Sequence, residues 1–380
     1  MASRVLFTGC VMPKSTTSSK TTPRGSVQPV RIGFKPLTDS APLLVARELA
    51  LFSRHGVQVD LSCEVGWATI REKLLYGQLD AAHAIAGLAL AMRLGLSSPP
   101  CRVVAPFVFN LHGNAITLSR ELWNCGVRDA STLKKLIRSS PARRFTFSTV
   151  SKYSSHYFLL RQWLTSGGID VDHEVRIVVL PPTQIVGNLK AGLIDGGCVG
   201  EPYNSAAVAS GLGWIATTSE QLAPNHPEKV LLTTEDFVHK HPAQINGVIA
   251  ALREACAFCD APENRAEVAR ILMRSGFFHN STEEILKRSL CGPLDLGSGR
   301  SADATSFHIF RRRDANEPTG ERGRWLLEQF AVHGLITPAE RAEAARALAD
   351  CWTSSLIPLP QTAAAKPTRK THKRQETTHA

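Results

Sequence analysis

The chain has 380 residues, of which 43% are hydrophobic and 20% charged, and a formal net charge of +11. That length supplies a core large enough for two lobes, and the composition excludes a wholly disordered chain. No apolar run reaches the roughly 20 residues that a membrane-spanning helix requires. The positive charge gathers at the ends: Arg4, Lys14, Lys20, Arg24 and Arg31 stand in a stretch without acids, and Lys366, Arg369, Lys370, Lys373 and Arg374 face only Glu376. Charge placed so points to solvated tails rather than a direct nucleic-acid face.

In chain order, residues 1–29 are expected to be a disordered leader, Ser-, Thr-, Pro- and Lys-rich, whose apolar part (Val5, Leu6, Phe7) is too short for an export signal. A buried strand is predicted over 30–34. Pro36 ends it, Thr38, Asp39 and Ser40 are candidate caps, and apolar residues at helical spacing follow from Leu43 to Phe52. A strand followed by a polar loop and a helix start aims free N–H groups and a positive dipole end at the loop, a geometry suited to a small anion. Further strands are predicted over 57–61, 77–84, 103–109, 115–119, 145–147 and 175–180, with helices over 67–75 and 155–165. Residues 358–380 are expected to form a second disordered tail.

The alternation of strands and helices predicts parallel α/β layers. Residues 75–83 (LYGQLDAAH) match 190–198 (KAGLIDGGC): a helix end, Gly, an apolar residue, Asp, then small residues. Two copies of one unit predict two similar lobes with a ligand cleft between them.

Motifs for common catalysis are missing: no Gly-x-Gly-x-x-Gly after a strand, no phosphate-binding Walker loop, no His-Glu-x-x-His and no Gly-x-Ser-x-Gly. Cys256 and Cys259 have redox spacing but fall in an amphipathic helical stretch, so core packing is expected. The 13 histidines make no metal-ligand spacing, and nothing implies a cofactor. The nine cysteines are odd in number and lack framework spacing, which favours a reducing compartment.

Several ordered stretches resemble the nitrate/bicarbonate-binding proteins of bacterial ABC transporters: IGFKPLTDSAP from residue 32, GWATIR from 66, GNAIT from 113, RQWL from 161 with GID from 168, PPTQIV from 181, GEPYN from 200, HPEKV from 226, CDAPEN from 259 and DANEP from 314. The resemblance covers about residues 30–340. It implies an α/β, two-lobed periplasmic-binding-protein type II fold, with lobe 1 from residues 30–118 and 223–345 and lobe 2 from 119–222; the order of the two half-repeats puts the hinges near 118–121 and 218–225. It also implies a non-enzymatic pocket for a planar monoanion. Trp67 would form a wall and Asn114 would supply an amide where the family carries the longer Gln. Ser154, Ser155 and His156 would lie at the ligand loop, and Lys229 would be the cation.

Within that family the expected member is a cytoplasmic nitrate sensor. It would bind nitrate or nitrite and control an RNA-binding antiterminator regulator of nitrate assimilation. The alternative is the substrate-binding component of a nitrate, bicarbonate or sulfonate ABC transporter, working with a permease. An enzyme of the related pyrimidine-precursor synthase group is disfavoured, because no cysteine–histidine cluster is present.

Overall fold

The computed structural model describes residues 28–355. The expected leader, apart from Gln28 and Pro29, and the expected tail lie outside the described residues. The first strand, β1 (Val30–Phe34), forms because Val30, Ile32 and Phe34 are apolar and buried. Gly33 lets Leu79 lie close: a Cβ there would stand 2.5 Å from its Cδ1. A 3-10 turn (Thr38–Ser40) then leads into the helix Ala41–Glu48, which carries Pro42 in its first turn. The expected side-chain capping is not made. The Ser40 hydroxyl donates back to the Leu37 carbonyl at 2.7 Å, and Asp39 turns elsewhere.

The chain continues through β2 (Val59–Cys63), β3 (Ala81–Ile85) and β4 (Val103–His112), then crosses to β5 (Asn114–Ser119), β6 (Phe145–Thr149), β7 (Val175–Val179), β8 (Gly196–Gly200) and β9 (Gly213–Thr218). It returns for β10 (Pro227–Thr234), a ribbon of β11 (Leu294–Gly297) and β12 (Arg300–Ala302), and β13 (His308–Ile309). One sheet has the order β13-β4-β10-β3-β1-β2 and the other β7-β6-β8-β5-β9. Each holds a parallel trio, β2-β1-β3 or β7-β6-β8, extended by an antiparallel strand from the far side of a crossing.

The half-repeat read in the sequence is a repeat of hydrogen bonding. Asp80 donates its N–H to the Arg31 carbonyl and accepts the Arg31 N–H on its carboxylate at 2.8 Å. Asp195 does the same with Thr146, accepting its N–H at 2.7 Å. Arg31 and Thr146 are each the second residue of a central strand, so one aspartate clamps the start of the central parallel pair in each lobe.

The division expected at residue 118 moves. β5 pairs only within the second sheet, so the chain leaves the first at His112–Gly113. Both residues have positive φ, 62° and 93°, and Gly113 is needed because a Cβ would meet the His308 ring at 2.3 Å. The return crossing passes through Asn225, also at positive φ. The two crossings are pinned together: the Asn225 N–H donates to His112 Nε2 at 2.6 Å. The structured core also extends beyond residue 345, because the helix Arg341–Cys351 buries Ala344, Leu348 and Cys351, and Trp352 donates to the Thr319 carbonyl at 2.9 Å.

One apolar cluster runs across both lobes. Tyr153 and Phe158, on the second-sheet side, pack with Phe330 and with Trp325 of the helix Gly320–Val332. Gly87, starting the helix Gly87–Arg93 after β3, touches this seam; a Cβ there would stand 2.2 Å from the Tyr153 carbonyl oxygen. Cys256 and Cys259 are fully buried in the helix Pro242–Asp260, in the core as expected, and burial pushes both thiols up. No helix among the described residues is long and apolar enough to cross a membrane.

Candidate functional site

The strand ends of both sheets meet at a buried polar cluster. The first lobe contributes Asp39 from the turn after β1, Trp67 from the start of the helix Trp67–Leu75, His83 from β3, and Glu228 and Lys229 from β10. The second contributes Asn114 from β5, and Ser155 and His156 from the first turn of the helix Ser155–Ser166. Adjacent residues of a strand normally face opposite ways. Glu228 and Lys229 both reach the cluster because the β10–β4 ladder slips on either side of Lys229, a bulge that re-aims side chains.

Lys229 is the centre. Its ammonium lies 2.8 Å from Asp39 Oδ2, 2.5 Å from Glu228 Oε1, and 5.6 Å from the centre of the Trp67 ring. The Asn114 amide donates to Glu228 Oε2 at 2.6 Å and to the Ser155 hydroxyl at 3.2 Å, and the Ser155 hydroxyl also donates to Glu228. His156 Nε2 faces two acceptors, Asn114 Oδ1 at 2.7 Å and Glu228 Oε1 at 3.1 Å, so that nitrogen carries the proton. His226 Nε2 is 3.5 Å from Glu228, and His83 Nε2 is 3.2 Å from Asp39.

Burial opposes every charge here, and the pairings outweigh it for three groups. Lys229 and His83 hold the Asp39 carboxyl at about 2 despite burial. Lys229 and His156 hold Glu228 well below the usual carboxylate range. The two carboxylates raise Lys229. For His156 burial wins over the pull of Glu228, and the ring is held neutral below its ordinary value. Several buried polar atoms of the site make no hydrogen bond among the described residues: the Trp67 indole Nε1, a donor, His156 Nδ1, left as an acceptor, and the Asp39 oxygens, both His83 ring nitrogens and His226 Nε2, of which the Asp39 oxygens, His83 Nε2 and His226 Nε2 make ionic contacts only.

The sequence profile of the NMT1-like family matches residues 24–273. The chain belongs to that family. It is 39% identical over 308 residues to the nitrate import ATP-binding protein NrtC of Synechocystis sp., covering 80% of this chain and 46% of that protein. It is 28% identical over 337 residues to the nitrate/nitrite binding protein NrtA of Nostoc sp., covering 85% and 75%. The chain thus spans about half the length of the NrtC-type relative and most of the NrtA type. The crystal structure of the periplasmic nitrate-binding protein NrtA from Synechocystis PCC 6803 superposes with a TM-score of 0.77 at 26% identity, over 87% of this chain and 91% of that one. The aliphatic sulphonate binding protein SsuA of Escherichia coli, at 16% identity and a TM-score of 0.61, shares the fold. The NMT1-like chain therefore has the expected type II periplasmic-binding fold.

Of the six residues picked from the sequence, Trp67, Asn114, Ser155, His156 and Lys229 come together. Ser154 does not contribute its side chain: its hydroxyl caps the helix, accepting the Tyr157 N–H and donating to the Ser151 carbonyl at 2.6 Å. Asp39, His83 and Glu228 were missed as members of the site. Glu228 sits beside Lys229 in the very motif that flagged the lysine, and its sign, wrong for an anion pocket, hid it. Glu201, in the GEPYN motif, is a buried carboxyl that burial pushes up to about 7, with its Oε1 unpartnered.

Proposed function

We propose that this chain is a receptor for a small planar monoanion, nitrate or nitrite, taken up between its lobes by Trp67, Asn114, Ser155, His156 and Lys229. The observation that carries the reading is their convergence from both lobes on one buried point, with the Trp67 N–H left free to donate. An ammonium, an amide, a hydroxyl, an indole N–H and an aromatic face suit delocalised charge on a flat oxyanion. Binding of this kind needs no bond to be made or broken, so the chain acts as a binder.

As the output of binding we propose sensing in the cytoplasm, with release of an RNA-binding antiterminator regulator when the anion binds. The match to nearly half of an ATP-binding import protein supports that place, because ATP is a cytoplasmic nucleotide. The second reading, the substrate-binding component of an ABC transporter beside a permease, is favoured by the likeness to NrtA. Calorimetric titration with nitrate, nitrite and hydrogen carbonate tests the receptor, and heat with none of them would overturn it. Pull-down of the antiterminator with and without nitrate tests the output. In a sensor each ligand weakens the other by the same factor. A partner held equally in both conditions, or recovery of the protein in the periplasm, would favour transport.

A further inference from the structure

The donors that would hold an anion already hold one. The Glu228 carboxylate receives the Lys229 ammonium at 2.5 Å, the Asn114 amide at 2.6 Å and the Ser155 hydroxyl, and it faces His156 Nε2 at 3.1 Å. A carboxylate, like nitrate, is flat and spreads one negative charge over its oxygens. Glu228 belongs to the first lobe, whereas Asn114, Ser155 and His156 belong to the second, so this internal carboxylate joins the lobes as a ligand would.

We propose that Glu228 is a built-in occupant of the anion position, and that an external monoanion enters only together with one proton taken up by the Glu228–His156 pair. The inference rests on the receptor reading above and names what governs ligand entry at that site. Its warrant is the charge of the cluster. Asp39 and Glu228 are two buried carboxylates against the single ammonium of Lys229. No other lysine or arginine among the described residues is paired with either carboxylate. His156 is held neutral by burial, and burial pushes His308 of β13 down to about 3 and the Cys198 thiol of β8 up. His226 Nε2 lies 3.5 Å from Glu228 and His83 Nε2 lies 3.2 Å from Asp39.

Lys229 against Asp39 and Glu228 therefore leaves one negative charge in excess. A bare monoanion would make two, fully buried and without a counterion, which a protein interior does not tolerate. One proton from solvent or buffer restores the original charge. It has two places to go: a Glu228 oxygen, which then releases the Lys229 and Asn114 donors to the ligand, or His156 Nδ1, buried with no partner.

The test is titration calorimetry of the full chain with sodium nitrate and with sodium nitrite above neutral pH, run in phosphate and in Tris, whose ionisation heats differ. The expected result is uptake of close to one proton per anion, with affinity falling about tenfold per pH unit as pH rises. Glu228→Gln removes the internal anion; it is expected to abolish the uptake and to flatten the pH dependence. Binding by the unmodified chain with no proton uptake and a flat pH profile would overturn this inference and leave the receptor reading standing. No binding of either anion at any pH would overturn both. Because the proton count is read on the unmodified chain, the proposal is exposed even if the variant folds poorly.

Discussion

Replacing Lys229 by alanine strands two carboxylates. The ammonium lies 2.8 Å from Asp39 and 2.5 Å from Glu228, and all three side chains are buried. Removing one partner from a buried ion pair costs about 3–5 kcal/mol, because the other charge is left without compensation. Here one deletion orphans two charges, so the upper part of that range applies. Domains of 150–250 residues lose about 2–4 °C per kcal/mol, and a longer chain falls at the low end, which gives a drop of roughly 8–10 °C. The assay is thermal melting followed by circular dichroism at neutral and mildly acid pH. The sign of the pH effect is fixed. Without Lys229 both carboxyls prefer to be protonated, so the gap from wild type is widest at neutral pH and closes as pH falls. Adding Glu228→Gln to the variant removes one stranded charge and should restore part of the loss. A Lys229→Ala variant that melts with the wild type at neutral pH, or a gap that does not change with pH, would refute the reasoning. A lysine reserved for an incoming anion, as the sequence alone suggests, would have produced that result.

The remaining predictions concern packing, acid and the pocket wall. Gly87→Ala drives a methyl into the Tyr153 carbonyl oxygen, a backbone atom only 2.2 Å away, so the lobes should seat less closely; small-angle scattering should report a larger radius of gyration, and an unchanged curve would remove Gly87 from the seam. Acid should destabilise the protein from about pH 6.5 downward rather than from about 4, because His112 and His308 are lowered to about 3 and bind protons in the unfolded chain first. Asp39, held at about 2, adds a further loss only as pH falls from about 4 towards that value. Glu201, raised to about 7, acts in the opposite sense between about 4 and 7, so the decline is shallower than the histidines alone would give. Denaturant midpoints that stay level from neutral pH to about pH 5 would contradict this balance. Trp67→Ala should weaken nitrate binding by removing both the aromatic wall and its free N–H, while Trp67→Phe, which keeps the wall, should recover only part of the affinity; full recovery would leave the indole N–H without a role.

Much of this fold is legible as periodicity and punctuation. The strand over 30–34 and the helix Trp67–Leu75 fall where the apolar spacing puts them. The half-repeat around Asp80 and Asp195 marks two copies of one hydrogen-bonded corner. The crossing at His112–Gly113 was misplaced because the strand over 115–119 was assigned to the first lobe, and only the left-handed pair of residues before it turns the chain to the second sheet. The site was legible in its donors and not in its acceptors. Asp39 has the profile of a helix cap, and its role depends on a lysine 190 positions away. Glu228 is aimed by a bulge in the β10–β4 ladder, which strand alternation alone does not foretell.

The apolar seam joining Tyr153 and Phe158 to Phe330 and Trp325 has a consequence for the speed of ligand exchange. Opening the lobes there would expose aromatic surface that costs about 25 cal/mol per Å² to wet, whether or not an anion is inside. The closed arrangement is then the resting one, and an anion waits for a rare opening instead of triggering it. In a stopped-flow experiment the observed rate would climb with nitrate concentration only until it met the opening rate and would level off there. Substitutions in the seam, far from any ligand atom, would move that plateau.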